Sequence, residues 1–216
     1  MEKKRYSYIL WDWNGTLLND VDWCVKQINR MLAKRNKRVL NNISEYHAAF
    51  CFPIIDYYRN VGFDFTEESF ESLAKEYIEI YHGEGSGSVS LHRNTEYVLE
   101  IMQNLQVSQS ILSASAQSNL EMQLKPFEIR QYFDEILGIS DIYAKSKLEI
   151  GIDYLLRNNV QSAILIGDTT HDFEVSQAMG IECALVAHGH QSKEKLMQCN
   201  TPVFDNLDEV LSFLAG

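Results

Sequence analysis

The sequence has no long hydrophobic run. No apolar stretch approaches the ~18 residues that a membrane-spanning helix needs, and nothing at the N-terminus resembles a signal peptide. Both features argue against a membrane-embedded or secreted protein. We therefore expect a soluble cytoplasmic protein with no membrane partner.

Basic residues are also scarce. The chain has 19 lysines and arginines against 30 aspartates and glutamates, which gives a net charge of −11. No basic run is interleaved with aromatic residues, as nucleic-acid binding would require. The four cysteines are scattered without metal-ligand spacing and are typical of reduced thiols. Nucleic acids are therefore not expected as partners, and nothing in the sequence indicates an oligomeric state.

One carboxylate stands where a buried strand ends. The apolar residues 8–11 are followed by Asp12 and then by Trp-Asn-Gly-Thr. A carboxylate at the carboxyl edge of a sheet can attack phosphorus and carry the phosphoryl group as an acyl phosphate. Gly15 permits a sharp turn, and the Thr16 hydroxyl can fix it. An ordinary turn at a strand end is the alternative interpretation of this segment alone.

A second acidic segment favours the catalytic interpretation. Residues 162–167 form another buried-strand pattern, and Asp168-Thr-Thr-His-Asp172 follows. Two strands of one parallel sheet would bring Asp12 and Asp168 to the same edge, with Asp172 one helical turn further on. Carboxylates this close need a cation between them, and oxygen ligands favour Mg²⁺. An acidic cap at a helix N-terminus would explain one aspartate but not all three.

Strand-like and helix-like segments alternate over most of the chain. Further strands are predicted over 109–113, 135–138 and 183–186, and helices over 95–105, 147–157 and 173–179. This alternation predicts an α/β fold with a doubly wound parallel sheet. At 216 residues the chain suits one such domain with an insertion.

The insertion spans residues 19–87 and has no strand-like segment. Apolar residues recur at helical spacing over 21–32, 52–58 and 70–81, and the glycine-serine stretch 83–88 is typical of a hinge. We therefore predict an all-helical unit inserted after the first strand.

The order of these motifs resembles the haloacid dehalogenase (HAD) superfamily, and within it the phosphoglycolate-phosphatase-like branch. The resemblance rests on Asp12-x-Asn14-Gly15-Thr16, on Ser113, on a lysine near 147 and on Gly167-Asp168-x-x-x-Asp172. It implies a Rossmann-like core at residues 1–18 and 88–216, with a helical cap domain at residues 19–87. It also implies a phosphatase that hydrolyses a small phosphorylated metabolite.

The resemblance implies a role for each motif residue. Asp12 would be the nucleophile, while Ser113 and Lys147 would hold the phosphate, with Lys145 as the alternative lysine. Further substrate contacts are expected from Thr16 and Ala114. Mg²⁺ would be held by Asp12, the backbone carbonyl of Asn14 and Asp168, with Asp172 assisting.

Two further positions have weaker signals. Arg59 in the insertion can pair with a substrate carboxylate, although a solvated helix face is the alternative. His188 and His190 follow the last long strand, and a place at the rim of the site is one interpretation of them.

Asn14 departs from the family pattern. Phosphatases of this family usually carry an aspartate there, which protonates the leaving oxygen and then activates water. An amide cannot shuttle a proton at neutral pH, and general acid–base help is worth ~10²–10⁴-fold. We therefore expect a weak phosphatase, or one restricted to acyl, aryl or enol phosphates. On this basis Asn14→Asp should raise turnover on a poor leaving group.

Three explanations of Asn14 stay open. It can be an engineered change that traps the phosphorylated enzyme. It can mark a phosphonate hydrolase, although those enzymes need a cap lysine and residues 40–73 contain none. It can also mark a non-catalytic domain that binds phosphorylated ligands.

Overall fold

The computed structural model describes residues 6–83, 89–139 and 146–216. Lys145 and residues 84–88 of the predicted hinge lie outside the described residues. Among the described helices, none is long and apolar enough to span a bilayer.

The chain alternates strands and helices on both sides of a helical insertion. The strands are β1 (Tyr8–Trp11), β2 (Leu18–Asn19), β3 (Ser90–Leu91), β4 (Ser108–Ala116), β5 (Ile136–Ile139), β6 (Ala163–Gly167), β7 (Glu182–Val186) and β8 (Val203–Phe204). The helices are α1 (Val21–Lys34), α2 (Ile43–Ala49), α3 (Ile54–Asn60), α4 (Phe70–Tyr81), α5 (Thr95–Asn104), α6 (Gln117–Leu124), α7 (Lys147–Arg157), α8 (Thr170–Met179), α9 (Lys193–Leu196) and α10 (Leu207–Ala215).

Six strands form one parallel sheet in the order β5-β4-β1-β6-β7-β8. The strand order departs in both directions from β1, so the carboxyl end of β1 lies at the topological switch point where α/β proteins bind ligands. The predicted α/β fold with a parallel sheet is therefore confirmed. β2 and β3 form a separate antiparallel pair at the two ends of the insertion.

Side chains alternate between the two faces of the sheet, as the strand geometry requires. Ile9 and Trp11 pack on one face with residues of α5 and α10, whereas Leu10 packs on the other with residues of α7 and α8. Both faces are covered, and the central strands β1 and β6 are accordingly apolar along their whole length.

The insertion has its own buried cluster. The apolar side chains of α1 to α4 pack on one another, and all the fully buried members of this cluster lie between residues 21 and 81. The predicted helix over 70–81 is confirmed. The helix predicted over 52–58 begins instead at Ile54, because Phe52 precedes Pro53 and a residue before proline disfavours the helical conformation.

Candidate active site

The predicted acidic segments meet at the carboxyl edge of the sheet. Trp11 of β1 pairs with Ile111 of β4 on one side and with Ile166 of β6 on the other. Asp12 follows Trp11 directly, and Asp168 follows Ile166 by two residues, so the register brings both carboxylates to the same edge. Each of the three carboxylates, Asp12, Asp168 and Asp172, has an oxygen within 4.8 Å of one on each of the others.

Asp172 is fixed by the start of α8. The Thr169 hydroxyl accepts the Asp172 backbone N–H over 3.3 Å, and Asp172 Oδ2 in return accepts the Thr169 backbone N–H over 3.0 Å. The Thr169 hydroxyl also donates to Asp172 Oδ2 over 2.6 Å. This reciprocal capping box begins the helix at Thr170, three residues before the position predicted from apolar spacing. The same carboxylate also accepts the backbone N–H of Asp168 over 3.2 Å.

Lys147 joins two of the carboxylates. Its Nζ donates to Asp12 Oδ1 over 2.5 Å and to Asp172 Oδ1 over 2.6 Å, with only 2% of the side chain exposed. The ammonium comes from the first residue of α7, which Ser146 and Glu149 cap. Both carboxylates raise the pKa of Lys147 despite its burial, so the group is charged.

The carboxylates differ in protonation because their surroundings differ. Burial, with the nearby Asp172 carboxylate, raises the pKa of Asp12 to about 6 against the opposing effect of Lys147. Burial and the two neighbouring carboxylates raise the pKa of Asp168 to about 8. For Asp172 burial is outweighed by Lys147 and the Thr169 hydroxyl, which hold its pKa below the usual range.

Two glycines, Gly15 and Gly189, pack directly against the Asp168 side chain. Its Oδ2 accepts the His190 backbone N–H over 2.6 Å, and its Oδ1 accepts the Thr16 hydroxyl over 3.1 Å. A Cβ at Gly15 or Gly189 would overlap this carboxylate. Gly15 also has φ +77°, which side chains other than glycine rarely adopt. The two turns thus enclose the Asp168 side chain.

The cluster suits a hard divalent cation. Three buried carboxylates share the Lys147 ammonium, and the pKa of Asp168 is raised by its burial and by the negative charge of Asp12 and Asp172. Oxygen donors at this spacing are the ligands that Mg²⁺ takes in proteins. The residues present therefore fit the predicted ion.

Ser113 and Ala114 lie on the neighbouring strand β4 at the same edge. Ser113 is buried, and its hydroxyl accepts the Ser115 backbone N–H over 3.1 Å. Ala114 is half-buried beside it. Thr16 lies on the other side, and its hydroxyl approaches Asp12 Oδ2 at 3.4 Å.

Asn14 has partners that the sequence did not reveal. Its Nδ2 donates to Asp20 Oδ2 over 2.8 Å and approaches the Tyr81 hydroxyl at 3.4 Å, while its Oδ1 accepts the Ser115 hydroxyl over 3.0 Å. Asp20 is fully buried where α1 begins. Both the donor and the acceptor of the Asn14 amide are therefore engaged.

The insertion also reaches the loop after β7. His190 Nε2 lies 3.3 Å from Asp20 Oδ1, and its Nδ1 is hydrogen-bonded to the Tyr46 hydroxyl over 2.8 Å. Burial lowers the pKa of His190, but Asp20 outweighs it and raises the value to about 9. The His190 ring also stacks on Phe50.

Arg59 is not brought to the cluster by any described contact. It forms an ion pair with Asp56, and its guanidinium lies 5.3 Å from the centre of the Phe65 ring. Its role as a substrate contact stays a prediction.

Asp20 was missed by the sequence interpretation, and His190 was given no role beyond a rim position. No periodicity marks them, because their contacts depend on the way the insertion folds back. The one local signal in the sequence was the position of Asp20 itself, a second carboxylate close to Asp12 and directly after Asn19.

The chain was compared with curated proteins, with solved structures and with protein-family models. A search of curated proteins found no match. Solved structures of similar fold include a predicted phosphatase from Clostridium acetobutylicum, with a TM-score of 0.83, 20% identity, and 97% of this chain and 98% of that one covered. A predicted phosphoglycolate phosphatase from Haemophilus somnus has a TM-score of 0.79, 16% identity, and 97% and 98% coverage. The Mycobacterium tuberculosis protein tyrosine kinase A has a TM-score of 0.83, 20% identity, and 99% and 100% coverage.

At these identities the likeness shows a common fold. The family model for haloacid dehalogenase-like hydrolases, in contrast, matches the sequence itself over residues 9–186. This match spans most of the chain and confirms the resemblance inferred from the motifs: the chain belongs to the haloacid dehalogenase-like hydrolase family.

Proposed function

We propose that the protein is a Mg²⁺-dependent phosphatase that hydrolyses a small phosphorylated metabolite through an aspartyl phosphate on Asp12. The observation that carries this proposal is the convergence of Asp12 with Lys147, Asp168 and Asp172 in one buried cluster. Family membership supports the hydrolase class, and two of the similar structures are described as predicted phosphatases.

Asp12 forms and then loses the bond to phosphorus. One of its carboxylate oxygens attacks phosphorus, and the bond from phosphorus to the leaving oxygen breaks with its electron pair remaining on that oxygen. Water then attacks the phosphorus of the aspartyl phosphate, which releases inorganic phosphate and restores the Asp12 carboxylate. The pKa of about 6 leaves Asp12 mostly ionised at neutral pH.

The neighbouring residues hold the phosphoryl group. Lys147 already lies 2.5 Å from Asp12 and would neutralise the phosphate as it approaches. The Ser113 and Thr16 hydroxyls, with the backbone at Ala114, would donate to the phosphoryl oxygens. Fixed donors of this kind stabilise charge as it develops on those oxygens.

The ion would be held by the carboxylates of Asp12 and Asp168 and by the backbone carbonyl of Asn14, with Asp172 assisting. When bound, Mg²⁺ neutralises charge on the carboxylates and on the phosphate oxygens. The deprotonated form of Asp168 is the one that can ligate it.

The leaving group limits the range of substrates. Asn14 cannot give up a proton, so a poor leaving group departs without general-acid help. Acyl, aryl and enol phosphates have leaving groups that need no proton. We infer that these are the preferred substrate chemistry.

The helical insertion serves as the cap over this site. α2 and α4 both contact the core beside the cluster: His47 Nε2 lies 3.1 Å from the Gly189 carbonyl oxygen, and the Tyr81 hydroxyl lies 3.4 Å from Asn14 Nδ2. A cap in this position excludes water and selects the substrate. We take residues 19–87 as the cap domain and residues 1–18 and 88–216 as the core.

The test is phosphate release from acetyl phosphate, p-nitrophenyl phosphate and an alkyl phosphate, with and without Mg²⁺. We expect turnover only with the ion, and at least ~10²-fold faster on the first two substrates than on the alkyl ester. Asp12→Asn should abolish it, whereas Asp22→Asn, an exposed aspartate in α1, should not.

Equal rates on all three substrates would contradict the leaving-group restriction. Saturable binding of the phosphorylated ligands without any turnover would instead favour a non-catalytic binding domain.

A further inference from the structure

The most informative contact that the proposed chemistry does not use is the one between Asn14 and Asp20. Asp20 is fully buried and groups with Cys24 and His190, apart from the cluster of Asp12, Asp168 and Asp172. Its two oxygens accept hydrogen bonds or lie close to donors from five groups: Asn14 Nδ2 at 2.8 Å, Gly15 N at 3.0 Å, Tyr81 Oη at 2.7 Å, Cys24 Sγ at 3.4 Å and His190 Nε2 at 3.3 Å.

All five of these groups are donors, and such a set of donors stabilises an ionised carboxylate. The donor from residue 14 exists only because this residue is an amide. A carboxylate at residue 14 would turn an oxygen towards Asp20 Oδ2 at the present 2.8 Å, with no proton between the two. Two buried like charges at hydrogen-bond distance are strongly unfavourable.

We propose that Asn14 and Asp20 are a matched pair, in which Asp20 carries the negative charge that related phosphatases place at residue 14 and acts as the positioning residue for the Asn14 amide. The proposal rests on the phosphatase function above for its catalytic consequence, but the pairing itself follows from the contacts. It reverses the expectation drawn from the sequence: Asn14→Asp alone lowers turnover.

The geometry also predicts what restores the pair. In Asp20→Asn, an amide nitrogen would face the Asn14 amide nitrogen if the other atom keeps accepting from Gly15. In the exchange variant Asn14→Asp/Asp20→Asn, donor and acceptor face each other again in reversed order. Total charge and side-chain size are conserved, and the Ser115 hydroxyl still has an acceptor at residue 14.

The experiment is a double-mutant cycle on four proteins: wild type, the two single variants and the exchange variant. Melting temperature is measured for all four, with kcat and KM in Mg²⁺ on p-nitrophenyl phosphate and on an alkyl phosphate, whose leaving group is poor. We expect each single variant to melt at least ~5 °C lower and to lose at least ~10-fold in kcat with little change in KM. The exchange variant should recover to within about 2 °C and about threefold of wild type.

A matched control comes from the surface. Asn94 Nδ2 donates to Asp208 Oδ1 over 2.7 Å, which is the same kind of hydrogen bond in an exposed position. The corresponding cycle of Asn94→Asp and Asp208→Asn should change the melting temperature by no more than about 1 °C.

The proposal is overturned if Asn14→Asp equals or exceeds wild type, or if the exchange variant shows the summed losses of the two single variants. A single variant that yields no folded protein while the exchange variant folds supports it, whereas failure of all three to fold overturns it. Coupling in melting temperature without turnover by wild type would refute the phosphatase and keep the pair. Turnover by wild type, together with additive losses in the two single variants, would refute the pair and keep the phosphatase.

Discussion

At the residue scale, Lys147 is the group on which the buried carboxylates depend. Its ammonium lies within 2.6 Å of both Asp12 and Asp172, and no more than 3% of the Lys147 and Asp172 side chains is exposed. Lys147→Met removes the shared partner and leaves buried negative charge uncompensated. Loss of one member of a buried ion pair costs about 3–5 kcal/mol.

We therefore expect Lys147→Met to lower the melting temperature by about 6–20 °C. Added Mg²⁺ should raise the melting temperature of this variant more than that of wild type, since the ion replaces the missing cation. Scanning calorimetry measures both effects. Lys193→Met is the control, because Lys193 pairs with Asp205 at the surface; a variant at 147 that melts like this control would refute the prediction.

Single residues also show what the sequence could reveal and what it could not. Asp12 and Asp168 were predictable because each follows a buried apolar strand, and parallel strands end at one edge. Lys147 was predicted from the family resemblance, because it opens an apolar helix as the family's lysine does, and Lys145 was kept as the alternative. Asp20 was not, because its partners Tyr81 and His190 are separated from it by 61 and 170 residues and meet it only in the folded chain.

At the element scale, the first turn of α8 orients Asp172. The Thr169 hydroxyl both receives the Asp172 backbone N–H and donates to the Asp172 carboxylate. Thr169→Ala removes both hydrogen bonds. Loss of an N-cap costs about 1 kcal/mol, or roughly 2–4 °C in melting temperature.

The same substitution should weaken Mg²⁺ binding by at least ~10-fold, because partners that orient a metal ligand influence affinity to this extent. Isothermal titration calorimetry gives the affinity. Asn206→Ala is the matched control, since Asn206 caps α10 through the Glu209 backbone N–H away from the cluster. If both variants bind Mg²⁺ equally well, α8 does not position Asp172 in the way described.

Elements differed in how well their patterns predicted them. The strand over 8–11 and the helices over 70–81 and 147–157 agree with prediction residue for residue, because each has a long or strongly apolar pattern. β8 and α9 were missed, since two and four residues are too few to show a period. α8 was predicted too short because its first turn is set by Thr169, not by apolar spacing.

At the scale of the whole molecule, proton and metal binding are linked to stability. In the metal-free protein the pKa of Asp168 rises from 3.8 to about 8 through burial and neighbouring carboxylates. The folded state thus holds a proton that the unfolded chain has already lost, so this group removes stability as the pH rises from about 4 and has its full effect above about 8. The Mg²⁺ ion of the proposed function would bind the deprotonated carboxylates and oppose that loss.

We therefore expect the rise in melting temperature caused by Mg²⁺ to grow from pH 6 to pH 8. Displacing one proton from Asp168 strengthens apparent binding by about tenfold per pH unit, which adds about 1.4 kcal/mol, or roughly 3–6 °C, for each unit below its pKa. His190 faces the cluster but stays protonated over this range, because its pKa is raised to about 9. Groups that do not face the cluster cancel when the two conditions are compared at one pH. His92 is one such group: burial lowers its pKa to about 3, so its effect on stability runs in the opposite direction as the pH rises.

Two controls accompany the measurement. Sodium chloride at equal ionic strength separates screening from binding, and Asp168→Asn should flatten the pH dependence. An increment that is the same at pH 6, 7 and 8 would mean that Asp168 does not exchange its proton for the ion.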